Sequence, residues 1–150
     1  MTEALRALVV AAIALGCALA WLAALAARTD AATPARLIAE LHLAQFSALL
    51  LTLVAAVYVG LAVANAQVAG AGLDIALAIG FVVLASLVTA WEPVRALTAL
   101  AIAWGAHSVV DLAHIADLLP AAVAPPWYST ACAIYDVVVA GLCYLPLLRK

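Results

Sequence analysis

The chain has 150 residues, 71% of them hydrophobic and 9% charged, with a formal net charge of −2. A soluble domain is about 45–50% apolar and about 25% charged, so this composition excludes a water-wetted globule. The lack of any basic run interleaved with aromatics excludes a nucleic-acid binder. A mean hydropathy of +1.27 makes a bilayer the natural solvent.

Backbone groups in hydrocarbon must be satisfied internally, which leaves helices or closed barrels. Long Ala/Leu/Val runs without period-two alternation rule out the barrel. The expected fold is therefore all-α: a single transmembrane helical domain over residues 1–150, with five spans and no soluble module.

The first span is expected over 5–27, stopping at the ARTDAATP stretch. Its single leading Arg6 and the lack of an A-x-A site make it a retained helix rather than a cleaved signal. Thr33 followed by Pro34 is a helix start, and the second span runs over 35–66. Asp74 opens the third, 73–91, which closes at TAWEP. Pro93 starts the fourth, 94–119, and the fifth covers 127–148. Cys17, Cys132 and Cys143 all fall within spans, which argues against a disulfide framework. Cys17 and Cys143 read as small core residues.

Five spans place the termini on opposite faces, so basic residues can be counted by side. One side carries Arg28, Arg36, Arg95, Arg149 and Lys150, and the other only Arg6. Positive charge is retained in the cytoplasm, which predicts an outside N-terminus and a cytoplasmic C-terminus. Trp21, Trp91 and Tyr144 fit the inner interface, and Trp127 and Tyr128 the outer one. The alanine richness fits a bacterial source, hence a multi-pass protein of the bacterial cytoplasmic membrane.

The fourth span carries the informative pattern, WGAHSVVDLAHIADLLP from Trp104 to Pro120. His107, Asp111 and His114 follow an i, i+4, i+7 spacing and share one narrow sector, with Trp104 a turn earlier. Asp117 falls off this stripe. His107 is expected about 20 Å from either end of the span. An Asp at a helix centre costs about 2.5–3.5 kcal/mol on insertion, so the stripe should face the bundle interior or a wet cavity.

The fifth span supplies the facing surface: Tyr128, Ser129, Cys132, Asp136 and Cys143 lie on one side, with Tyr135 at its edge. Counting turns back from the connecting loop sets His114 level with Cys132, and Asp111 level with Tyr135 and Asp136. Two carboxylates at one depth need a proton or a cation to hold them together. In the second span, Glu40 lies on one face while His42 and Gln45 share another. Arg36 and Glu40 have the spacing of a local ion pair.

The candidate catalytic residues are thus His107, Asp111, His114 and Asp136, and the same four are the candidate metal ligands. Trp104, Tyr128, Cys132, Tyr135, Glu40, His42 and Gln45 are the candidate pocket residues. A divalent metal suits imidazole and carboxylate donors, but no H-x-x-x-H box is present. Haem needs two histidines at matching depth on different spans. Only His42 and His107 could pair, and their depths differ by about two turns, which ranks haem below a divalent metal.

Three functional classes remain open. The first is an acid/base or metal-assisted site acting on a small lipophilic substrate. The second is an accessory or assembly subunit of a larger membrane complex, and the third is proton- or cation-coupled transport by a homo-oligomer. Membrane lipid is the expected surrounding partner in each.

Overall fold

A computed structural model describes residues 3–64, 71–119 and 124–149. Five helices follow one another: α1 (Glu3–Arg28), α2 (Pro34–Ala64), α3 (Gly72–Val88), α4 (Pro93–Ile115) and α5 (Pro126–Tyr144), with a 3-10 turn over Leu145–Leu148. The described residues contain no strand. The expected continuation of the second span to residue 66, together with Pro120 and Lys150, lies outside the described residues.

Proline punctuates the chain as expected, with Pro93 and Pro126 in the opening turns of α4 and α5. A proline there gives up only an N–H that has no helical partner anyway. Before α2, the Asp30 carboxylate accepts the Ala32 N–H at 2.9 Å and the Thr33 hydroxyl donates to the Asp30 carbonyl at 2.8 Å. These bonds close the turn from which the helix leaves.

Three helices end earlier than expected, α5 at Tyr144 with the 3-10 turn carrying the chain on to Leu148. α3 ends at Val88 rather than residue 91, and its 17 residues span about 25 Å. α1, α2, α4 and α5 are long and apolar enough to cross a membrane. α4 ends at Ile115, four residues before the expected 119. Asp117 takes a left-handed conformation at φ 55°, and the Leu118 N–H bonds to the Ala113 carbonyl at 2.9 Å while the Asp117 N–H reaches the His114 carbonyl at 3.2 Å. This is a Schellman ending, in which the side chain that tolerates left-handed backbone sets the stop.

The helices run alternately up and down. Arg36 near the start of α2 bonds to the carbonyls of Ala26 in α1 and Pro146 after α5, which gathers three helix ends at one pole of the bundle. At the opposite pole Tyr128 of α5 packs on Tyr58 of α2. The Tyr135 hydroxyl reaches the Ala12 carbonyl at 3.3 Å, so α1 and α5 run parallel. Arg28, Arg95 and Arg149 lie toward the Arg36 pole, and Arg6, in the first turn of α1, lies at the other.

The burial pattern is inside-out relative to a soluble protein. Val10, Trp21, Leu49, Ile102 and Val137 are 60–68% exposed, while Arg36, Glu40, Asp74, His107, Asp111 and Asp136 are buried. A hydrocarbon surrounding favours that distribution. The apolar core, with Leu19, Leu43, Leu51, Leu97, Leu100 and Trp104 fully enclosed, fills the Arg36 half of the bundle. Cys17, expected in this core, is exposed. It lies two residues before inward-facing Leu19, which turns it to the outer side of α1.

Candidate functional site

The site lies where α4 and α5 meet, with α2 and α3 behind it. Trp104, His107, Ser108 and Asp111 form one buried face of α4. On α5, Ser129, Ala133 and Asp136 face them. Ala-rich helix surfaces let the two backbones approach closely, as is usual between helices in lipid, and the Ser108 hydroxyl donates to the Ala133 carbonyl at 3.1 Å.

His107 occupies the centre. Its Nδ1 lies 2.7 Å from Asp136 Oδ2 and 3.5 Å from Asp111 Oδ2. Both carboxylates are entirely shielded, and His107 is 3% exposed. The shorter contact suits a proton on Nδ1 shared with an ionised Asp136, an arrangement in which Nε2 is the basic nitrogen. The other oxygen of Asp111, Oδ1, accepts a hydrogen bond from the Tyr58 hydroxyl. One atom each from His107, Asp111 and Asp136 can be chosen so that all lie within 4.8 Å of one another. Asp111 Oδ2 and Asp136 Oδ1 have no hydrogen-bond partner, so the donor set has capacity left for a proton or one small cation.

The α4–α5 register differs from expectation by about one turn. His107, rather than Asp111, is level with Asp136, and Ser108 is level with Ala133. The early stop at Ile115 is the cause, because shortening α4 by four residues moves the midpoint of the antiparallel pair toward its start. It also brings the site off centre. His107 is 14 residues from Pro93 but eight from Ile115, about 21 and 12 Å along the axis.

His114 does not join this cluster. Its ring stacks on Tyr58 at 5.5 Å, and its Nε2 lies 3.2 Å from Asp74 Oδ1 of α3. Tyr58 thus stands between the two histidines, its own ring 6.0 Å from that of His107. Trp104 is fully buried one turn toward the other pole; its indole N–H donates to Ser47 Oγ at 2.9 Å, and Ser47 in turn contacts Cys143 Sγ at 3.1 Å. Tyr128, Cys132 and Tyr135 line an apolar groove between α1, α2 and α5 with a volume of about 260 Å³. Asp111 and Asp136 do not line that groove.

The residues singled out on α2 separate. Glu40 is buried in an ion pair with Arg36, Nε to Oε1 at 2.6 Å, at the pole away from His107. His42 and Gln45 are exposed on the outer side of α2 and do not share the cavity of α4 and α5. Tyr58, absent from the sequence reading, and Asp74, read there only as the opening of a span, lie beside these groups. Tyr58 follows Ser47 by eleven residues, about three turns, so it shares that helix's inward face. It is the one hydroxyl in the run LVAAVYVGLAVA. Asp74 gave a different signal, since an acidic residue in a first helical turn reads as a partner of the helix dipole.

No curated protein and no solved structure matches the chain. Residues 9–147 match the family of unknown function DUF6010, and the chain belongs to that family.

Proposed function

We propose that the chain is a multi-pass protein of the bacterial cytoplasmic membrane, with its N-terminus outside, in which His107, Asp111 and Asp136 form an acid/base site for a small lipophilic substrate. The observation that carries this reading is the convergence of the three side chains within 4.8 Å, all buried, with two carboxylate oxygens unpartnered. Asp136 orients the imidazole, His107 Nε2 takes a proton, and the Tyr58 hydroxyl supports the charge of Asp111. An imidazole between two carboxylates supplies both a donor and an acceptor in one place, as acid/base chemistry requires. A divalent cation on the same three ligands is the metal-assisted form of this reading. The groove beside Tyr128 and Cys132 opens among apolar side chains, which favours a substrate arriving from hydrocarbon.

Two observations favour this reading over the other two. The polar stripe faces the interior of the bundle, whereas an accessory subunit would turn it toward a partner chain. A transporter needs polar groups from pole to pole. Leu43, Leu97, Leu100 and Trp104, all fully enclosed, lie between the Arg36–Glu40 pair and His107.

The test compares wild type with Asp136→Asn and Asp111→Asn. Untargeted mass spectrometry of lipid extracts from expressing cells should show species altered by the wild type alone. Metal analysis of the purified proteins reads the second form. Lipid profiles identical in all three, with metal at background, overturn the proposal.

A further inference from the structure

Asp74 stands in the first turn of α3, where a carboxylate ordinarily faces water at the positive end of the helix dipole. Here it is 6% exposed and turned into the bundle. Neither of its carboxylate oxygens has a hydrogen-bond partner. His114 Nε2 lies 3.2 Å from Asp74 Oδ1, within ion-pair reach but without the geometry of a hydrogen bond. Three buried polar atoms at one point thus keep hydrogen-bonding capacity for a ligand that can both donate and accept.

A cavity lies against them. Its polar wall is Tyr58, Asp74, His107 and His114, its apolar wall includes Ala55 and Ala78, and its volume is about 10 Å³. That is about the room one water molecule needs, and water also needs two or more polar partners, which this wall provides. The His114–Asp74 pair and His107 face this common space. His114 belongs to the last turn of α4 and Asp74 to the first of α3, so both are within about 5 Å of a helix end along the axis.

We propose that Asp74 and His114 hold a water molecule in this cavity and form a water port, which connects His107 with the aqueous phase at the α3–α4 pole. The port rests on the acid/base reading for its purpose and names water as the second reactant or proton source of that site. The two supplies approach from different sides. The apolar groove lies against α1, α2 and α5, and the port lies between α2, α3 and α4.

Histidine-labelled protein in liposomes tests this by water-edited solid-state nitrogen NMR, which reads magnetisation passing from water to each imidazole. His107 and His114 should both receive it in the wild type. Ala78→Leu fills the cavity while keeping every polar side chain of its wall, and Ala55→Val is the milder form. The transfer to His107 should fall about threefold or more as the space drops below one water, while exposed His42 is unchanged. Asp74→Asn should weaken it in the same direction. Unaltered transfer to His107 in a folded cavity-filling variant overturns the port. No turnover is needed, so that result leaves the acid/base reading standing, whereas unchanged lipid profiles would overturn that reading and not the port.

Discussion

The Nδ1 of His107 and the Oδ2 of Asp136 lie 2.7 Å apart across the α4–α5 interface, with both side chains closed off from the surface. A pair so placed is bound by mutual need, because each group without the other is a desolvated polar atom with nothing to replace water. His107→Ala and Asp136→Ala should each destabilise the protein by about 3–5 kcal/mol. The double variant should cost less than the sum, with a coupling of about 1–3 kcal/mol in reversible unfolding in mixed micelles. Strict additivity would mean that the contact does not hold the helices together.

Tyr58→Phe removes the donor to Asp111 and keeps the ring between the two histidines. The loss should be about 1–3 kcal/mol, the penalty for a buried acceptor left unmade. Thermal unfolding monitored by circular dichroism checks this. Tyr58→Leu should be worse, since it also removes the stacking surface of His114.

Arg36 joins Glu40 at 2.6 Å and donates to the carbonyls of Ala26, Thr29 and Pro146. Arg36→Ala strands the Glu40 carboxylate and should cost about 3–5 kcal/mol. Arg36→Lys retains the charge but not the planar fork of donors, and should recover only part of the loss. Arg36→Met combined with Glu40→Leu should be more stable than Arg36→Ala alone, because no charge is left unpaired. The ranking is measurable by denaturant unfolding.

His42→Ala and Gln45→Ala provide the opposite expectation. Both side chains face outward on α2, so each change should stay within about 0.5 kcal/mol of wild type. Neither should alter the lipid profile or any metal content. An effect as large as that of Asp136→Asn would bring the outer face of α2 into the site.

Much of this arrangement can be read from the order of residues. The five helices follow from proline and polar punctuation between apolar runs. The inward stripe follows from the spacing of His107 and Asp111, and their meeting with Asp136 from the short connection to α5. What could not be read is depth. The stop of α4 depends on Asp117 adopting left-handed backbone, a choice made by one residue against a helical pattern that continues to Leu119. From that stop comes the one-turn shift that pairs His107 with Asp136 and frees His114 for Asp74. Tyr58 was hidden for another reason. A lone tyrosine in an alanine and valine run has the same periodicity as a packing residue, and only the neighbouring helix reveals its acceptor. His42 and Gln45 show the converse, since polar identity by itself does not tell which face of a long helix turns inward.

The Arg36 clamp has a consequence for how the molecule is assembled. Pro146 lies 110 residues after the guanidinium it receives, so during synthesis that bond is the last of the four to become available. Glu40, one turn away, is present from the outset and neutralises the arginine while the later helices are inserted. The first two helices can therefore wait in the bilayer as a paired, electrically balanced hairpin, and the arrival of the final segment locks the ring of helices shut.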